Sequence, residues 1–291
     1  MHNIIALHRD LAAKIYKHSS YEAFNISDPK PRRIHKAKVS DRLLHHAVYR
    51  ILYPFFDRTF IADSYSCRIG KATHKAMDRF RRFGYGVSKN HTRTAWVLKC
   101  DIRKFFASID QVILINILEE YISDKDILWL LKEIIESFKV GETKVGLPLG
   151  NLTSQLLVNI YMNKFDQFVK HKFKAKYYIR YADDFVILSY DRTWLENIIS
   201  QIGKYLQDYL KLQLHPEKVS IKTFASGVDY LGWVHFPDHR VLRTVTKRRM
   251  FRNIIIKQSK LETVQSYLGL LSHGNAKSLK QILTHGKTGV Y

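Results

Sequence analysis

The chain has 291 residues, and its 48 Lys+Arg against 26 Asp+Glu give a formal charge of +22 at pH 7. That length can bury a substantial core in one large or two modest domains, while the charge attracts polyanions, nucleic acid first and an anionic membrane surface second. No apolar run approaches the roughly 18 residues of a spanning helix, and the start, "MHNIIALHRDLAAKIYKH", has neither a secretory apolar stretch nor a cleavage site, so a soluble cytoplasmic protein is expected.

Pro and Gly are sparse and no repeat or low-complexity linker interrupts the chain, which argues for one continuous unit with subdomains. "SDRLLHHAVYRIL" reads as an amphipathic helix with Ser40 as cap candidate and apolar residues at 43, 44, 47, 48, 51 and 52. Cys67 and Cys100 are too few for a disulfide framework and lack zinc-site spacing, so both are expected reduced and buried. The 14 histidines are scattered, and none of their groupings, His45-His46 included, asks for a metal. "AWVLKCDI" at 95 to 102 reads as a strand, "KDILWLLKEIIESF" as a helix, and residues 177 to 190 as a hairpin. "WLENIISQIGKYLQDYL" follows as a helix through Leu195, Ile198, Ile199, Ile202, Leu206 and Leu210; then come strands "LQLH", "KVSIKTF" and "VDYLGWVHF". From 241 the pattern is helical, with ten Lys+Arg against Glu262 alone. This order suggests an α+β fold, an antiparallel sheet backed by helices.

Within the hairpin, "YYIRYADDFVILS" sets Asp183 and Asp184 between two apolar runs, at the turn. A solvated turn is one reading, since Asp bonds its own backbone there. Asp101 is a third carboxylate, delivered at the tip of "WVLKCD", where a helix cap or a salt-bridge partner would also serve. Three carboxylates at strand ends in a polycation are, however, the oxygen-ligand set that holds Mg²⁺ together with substrate phosphates. Two such ions about 3.5 to 4 Å apart stabilise both the attacking and the leaving oxygen of phosphoryl transfer.

"CDIRKFF", "GLPLGNLTSQLLVNIYMNKFD", "YIRYADDFVIL", "LHPEKV" and "YLGW" stand in the order and spacing of the palm motifs of reverse transcriptases, which nearly the whole chain resembles. Within that superfamily, "DPKPRRIHKAKVSDRLLHHAV", "DSYSCRIGKATHKA" and above all "LPLGNLTSQ" are similar to the reverse transcriptases of diversity-generating retroelements. The resemblance implies a right-hand polymerase with an antiparallel palm sheet backed by helices: fingers over 1–94 with an additional helical piece near 111–145, a palm over 95–240 and a basic helical thumb over 241–291. It implies that Asp101, Asp183 and Asp184 form the catalytic triad on two Mg²⁺ ions, with Mn²⁺ as substitute, and that the Ile102 carbonyl is a further ligand.

The same resemblance sets Phe106 against the sugar 2′ position, where a rigid ring would clash with a ribose hydroxyl; core packing is its plain alternative. Arg32 and Arg33 match fingers residues that clasp the incoming triphosphate, for which the planar guanidinium fork is suited, although either could be a solvated surface charge. "GNLTSQ" opens a helix in which Gly150 permits close backbone approach, Asn151 or Thr153 could cap, and Gln155 falls on the nucleotide side. Lys218 sits where related polymerases place a proton donor to pyrophosphate, or is a surface lysine. "VDYLGWVHF" resembles the primer grip, and Tyr230 and Trp233 could equally be core. Arg248, Arg249 and Arg252 of the thumb are expected on duplex phosphates. Leu149 stands where many retroviral and intron-type enzymes carry Gln; retroelement diversifiers have an aliphatic residue there and copy template RNA with frequent errors opposite adenine.

The expected substrates and partners are therefore template RNA, the cDNA/RNA hybrid, deoxynucleoside triphosphates and a basic pentameric accessory variability protein, in a bacterial or phage-infected cytoplasm without membrane attachment. At the given length no RNase H, maturase or endonuclease domain is expected after the thumb. Two rivals stand beside this reading: a reverse transcriptase of another bacterial class, phage-defence or intron-like, and a non-catalytic nucleic-acid-binding scaffold on a degenerate polymerase fold.

Overall fold

The computed structural model describes residues 2–27, 31–141, 143–258 and 260–284; Asp28 to Lys30 of the "DPKPRR" stretch and Lys287 of the basic tail lie outside them. Helix α1 (His2–Ala12) leads into an antiparallel hairpin, β1 (Glu22–Ile26) and β2 (Arg32–Lys36), and then α2 (Val39–Asp57). Leu7 and Leu11 of α1 meet Leu44 and Val48 of α2 in a small cluster around Tyr16 and Ile134. The helix starts earlier than the cap candidate implied. Arg42 N donates to Lys38 O at 2.9 Å, so Lys38 is the flanking residue and Ser40 lies inside the first turn.

α3 (Thr73–Val87) follows a loop in which Cys67 is exposed at a positive φ of 55°, contrary to the expected burial. The reason is the neighbouring Arg68, which takes the inward place. Its Nε donates to Asp57 Oδ1 at 2.7 Å, and Nη1 donates to the carbonyls of Ile61 and Ser64.

The central sheet is built from β3 (Trp96–Asp101), β4 (Tyr178–Tyr181), β5 (Asp184–Ser189) and β6 (Ser220–Thr223), in the spatial order β4-β5-β3-β6, and its three pairings are all antiparallel. Strand alternation sorts its two faces. Leu98 and Cys100 of β3, with Phe185 and Ile187 of β5, enter a large core against α6 (Leu152–Lys172) and α7 (Arg192–Leu210), including Leu157, Tyr161, Phe165, Leu195 and Ile202. Val97, Val186 and Leu188 enter a second core against Phe80, Phe83 and Val87 of α3. Each fully buried side chain of this size contributes roughly 1.5–3 kcal/mol, so both faces are strongly specified.

α4 (Gln111–Glu119) and α5 (Lys125–Glu136), each begun by an aspartate whose side chain accepts first-turn amides, form the additional helical piece between β3 and α6. "LQLH" is not a strand. Leu214 makes an isolated bridge to Ile102, with His215 N donating to Asp101 O at 2.8 Å, and Pro216 then turns the chain into a short 3-10 segment, Pro216–Lys218. A separate antiparallel sheet, β7 (Val228–Tyr230), β8 (Trp233–His235) and β9 (Arg240–Leu242), crosses residue 240, the expected palm–thumb boundary.

The C-terminal helices α8 (Thr244–Ile256), α9 (Leu261–Leu271) and α10 (Lys277–Thr284) dock on that sheet through Met250, Ile254, Leu271 and Ala276 around Trp233. Gly274 lies so close that an added Cβ would stand 2.1 Å from Trp233 Cζ3. Gly274→Ala is therefore expected to lower stability by about 1–3 kcal/mol, the usual cost of overpacking, and to expose the C-terminal helices to limited proteolysis first. Unchanged melting and digestion would contradict this docking.

Candidate active site

In the ladder between β3 and β5, Asp101 pairs directly with Asp184. The connection from β4 turns through Ala182, at a positive φ of 55°, and Asp183, whose carbonyl accepts from Ile102 N at 3.3 Å. The register thus brings Asp101, Asp183, Asp184 and Ile102 to one end of the sheet. Burial, with Asp183 and Asp101 close by, pushes the Asp184 carboxyl up to about 6, and Lys99 opposes the shift. Asp183 is raised as well, first by burial and then by Asp101, while Lys218 and Arg32 act to lower it.

Cations ring these anions. Lys218 Nζ lies 2.9 Å from Asp101 Oδ1, and Lys99, two residues before Asp101 on the same strand face, donates to Asp229 O at 2.7 Å. Both lysines line an open cleft of about 630 Å³ with Asp101, Asp184, Arg32, Arg243 and Arg249. A larger cavity, about 940 Å³, opens beside α1 and α2, but its buried carboxylate, Asp41, is engaged by Tyr16 Oη at 2.8 Å and Ser19 N at 3.3 Å. The smaller cleft holds the convergent charges and is the candidate site.

Among the described residues, no three His, Cys, Asp or Glu side chains already stand as a metal cluster. The donor set still fits a hard divalent cation, which prefers oxygen ligands: carboxylates whose mutual repulsion such a charge would relieve, and no sulfur or imidazole among them.

The remaining expected residues separate. Arg32 reaches the cleft, whereas Arg33, its neighbour on β2, is placed by strand alternation on the opposite face and is not among the cleft lining. β2 is tied to the loop before α6, with His35 N donating to Leu149 O and Asn151 Nδ2 donating to His35 O, both at 2.9 Å. Gly150, at φ +113°, is required there, since a Cβ would stand 2.8 Å from Ile34 Cγ2. Neither candidate cap works as one. Asn151 is held by β2, and Thr153 Oγ1 is bonded to His45 Nδ1 at 2.6 Å.

Leu149 and Gln155 are half-buried. Phe106 is half-buried against the core, edge-on to Phe105 with ring centroids 5.6 Å apart, and its carbonyl accepts from Leu147 N. Tyr230 and Trp233 are core residues. On α8, Arg249 faces the cleft, while Arg248 and Arg252, one turn apart, are exposed.

The sequence reading missed the support beneath the turn. Arg180 and Asp166 form a fully buried pair, Nη2 to Oδ2 2.8 Å, and Tyr178 Oη donates to Asp166 Oδ1 at 2.6 Å. Removing one partner of such a pair typically costs about 3–5 kcal/mol. The available signals were an Arg inside the apolar run "YYIRY" and an Asp at the helical spacing of Met162 and Val169 in "YMNKFDQFV".

The family described as "Reverse transcriptase (RNA-dependent DNA polymerase)" matches residues 17–235. The chain is similar to protein YkfC of Escherichia coli, 26% identical over 257 residues, covering 75% of this chain and 65% of that one. It is also similar to the group II intron-encoded protein LtrA of Lactococcus lactis subsp. cremoris, 25% identical over 280 residues, covering 72% of this chain and 44% of that one. The chain thus spans less than two thirds of the length of either relative. Among solved structures, apo telomerase from Candida tropicalis superposes with a TM-score of 0.61 at 13% identity, covering 87% of this chain and 54% of that one. At that identity the likeness is one of fold: helices on an antiparallel sheet in the right-hand polymerase arrangement.

The raised carboxyl has a checkable sign. Because the fold lifts Asp184 from 3.8 to about 6, its protonated form favours folding below pH 4, and that contribution is lost as pH rises through about 6. In chelator, Asp184→Asn is therefore expected to gain stability relative to the parent between pH 4 and pH 7, by at most about 3 kcal/mol. A stability difference that is flat across this range would show that the fold does not raise this carboxyl.

Proposed function

Because the chain belongs to the reverse transcriptase family, we propose that it is an RNA-directed DNA polymerase, in which a primer 3′ hydroxyl attacks the α-phosphate of a deoxynucleoside triphosphate and pyrophosphate leaves. The observation that carries this reading is the meeting of Asp101, Asp183 and Asp184 at one strand end, where Asp101 and Asp184 line a cleft shared with Arg32, Lys99, Lys218, Arg243 and Arg249. Asp101, Asp183, Asp184 and the Ile102 carbonyl would hold two Mg²⁺ or Mn²⁺ ions, which when bound supply positive charge to the attacking and leaving oxygens.

Arg32 is the nearer of the two β2 arginines to the triphosphate, and Arg33 is free to serve template phosphates. Lys218, now on Asp101, would be released toward the leaving pyrophosphate once that oxygen takes another partner. Phe106 guards the sugar face, Gly150 brings the backbone of the α6 entry against β2, and Gln155 lies one turn into the same helix. Arg248, Arg249 and Arg252 on α8 take phosphates of the template RNA and cDNA hybrid; in this reading residues 1–94 and the helical piece near 111–145 are the fingers, 95–240 the palm and 241 onward the thumb. Asp183→Asn is expected to fold as the parent does and to lose primer extension on an RNA template by at least about a thousand-fold. Extension within a few-fold of the parent would remove the carboxylates from the chemistry and favour a binding scaffold.

The finer reading is the polymerase of a diversity-generating retroelement, copying its template with errors at adenine and working with a basic pentameric accessory protein in a bacterial or phage-infected cytoplasm. It is supported by "LPLGNLTSQ" and by an apolar Leu149. The similarity to an intron-encoded relative favours a second reading, an intron-type enzyme. Leu149 separates them experimentally. A side-chain amide there could hydrogen-bond near the nascent pair, and a net bond of roughly 0.5–1.5 kcal/mol is about two- to thirteen-fold in discrimination. Leu149→Gln is expected to lower misincorporation opposite template adenine by that factor while polymerisation persists. Sequenced cDNA with an unchanged adenine error share would take Leu149 out of the fidelity argument.

A further inference from the structure

Arg180 is fully buried, and each of its five guanidinium N–H donors has an acceptor. Nε donates to Asp166 Oδ1 at 2.8 Å and lies 3.0 Å from Oδ2; Nη2 donates to Asp166 Oδ2 at 2.8 Å and to Ser64 Oγ at 3.1 Å. Nη1 donates to Asn159 Oδ1 at 3.2 Å and to the Ala182 carbonyl at 3.1 Å. The last bond differs in kind from the others. Ala182 is the left-handed residue, φ 55°, on which the chain turns immediately before Asp183.

The backbone of Arg180 is held as firmly as its side chain. Its N donates to Asp63 O and its O accepts from Tyr65 N, both at 3.0 Å. Asn159 is in turn fixed by its Nδ2 donating to Ser66 O at 2.9 Å. The guanidinium therefore joins α6, the segment before α3 and the hairpin turn at one point. A fork bonded to the Ala182 carbonyl sets the plane of the peptide that carries the Asp183 amide, and Asp183 O then meets Ile102 N at 3.3 Å, beside Asp101.

We infer that Arg180, oriented by Asp166, is a positioning residue that locks the Ala182–Asp183 peptide and thereby aims the Asp183 carboxylate for divalent cations. The ligand groups of such a site must be held to within about 0.5 Å, and an alanine left to itself disfavours the left-handed conformation. Lysine keeps the charge opposite Asp166 but cannot span Asp166, Asn159, Ser64 and the Ala182 carbonyl at once. The inference rests on the reading of Asp101, Asp183 and Asp184 as metal ligands.

The test is Mn²⁺ binding to the full chain, read by the electron paramagnetic resonance of free Mn²⁺, alongside thermal melting and metal-free affinity for a primer–template. Arg180→Lys is expected to melt cooperatively and to bind the duplex within two-fold of the parent, but to bind Mn²⁺ at least ten-fold more weakly. Its extension rate should fall while the KM for the deoxynucleotide holds. Should Arg180→Lys not fold, the double variant Arg180→Met with Asp166→Leu removes both buried charges at similar volume, an exchange such pairs often tolerate; the same ten-fold loss is expected. Parent-like Mn²⁺ affinity in a folded variant overturns the inference and leaves the ligand reading intact. If Asp183→Asn binds Mn²⁺ as the parent does, the ligand reading fails and this inference falls with it.

Discussion

Everything around the cleft answers one constraint: the antiparallel register of β3 and β5 sets Asp101 opposite Asp184. Two carboxylates facing across a ladder repel, and with Asp183 in the adjoining turn the local charge is concentrated where neighbouring side chains bury it. The fold keeps them there because the register is not free to slip. A shift by one residue would turn Leu98, Cys100, Phe185 and Ile187 out of one core and Val97, Val186 and Leu188 out of the other. The hydrophobic faces thus do the work of crowding the anions, and the surrounding lysines and arginines partly offset the cost.

The offsetting cations come from several elements. Lys99 and Lys218 approach from the sheet and from the 3-10 turn after Pro216, and Arg32 approaches from β2. β2 is positioned by backbone contacts to the loop before α6, so the hairpin that carries Arg32 and the helix that carries Asp166 share a foundation. Helix α8, docked with its neighbours around Trp233, brings Arg249 to the same cleft, and Arg243 enters from the residue just before it. Three distant parts of the chain therefore contribute positive charge to a site built on two adjacent strands.

Much of this was legible in the sequence because it is periodic or punctuated. The apolar runs of "WVLKCD" and "DFVILS" marked the strands, the Asp pair marked the turn, and the spacing of Leu195, Ile198, Ile202 and Leu206 marked α7 with its buried face. What was not legible depends on tertiary partners. Ser40 looks like a cap, but the helix begins two residues earlier; Cys67 looks like core until Arg68 claims the interior. "LQLH" has a strand's composition and loses its pairing to Pro216. Arg180 stands in an apolar strand and Asp166 on a mixed helix, and only their meeting across β4 and α6 gives them a role. Arg32 and Arg33 were indistinguishable until strand alternation put them on opposite faces.

The central claim is that the crowded carboxylates exist to hold divalent cations against a nucleotide. Anomalous diffraction from crystals grown with Mn²⁺, an RNA–DNA primer–template and a non-reactive deoxynucleotide analogue tests it most directly. Two peaks about 3.5–4 Å apart, contacting Asp101 and Asp183, are expected, with Lys218 displaced from Asp101. Peaks elsewhere in the cleft, or none at these carboxylates while Lys218 remains paired with Asp101, would contradict it.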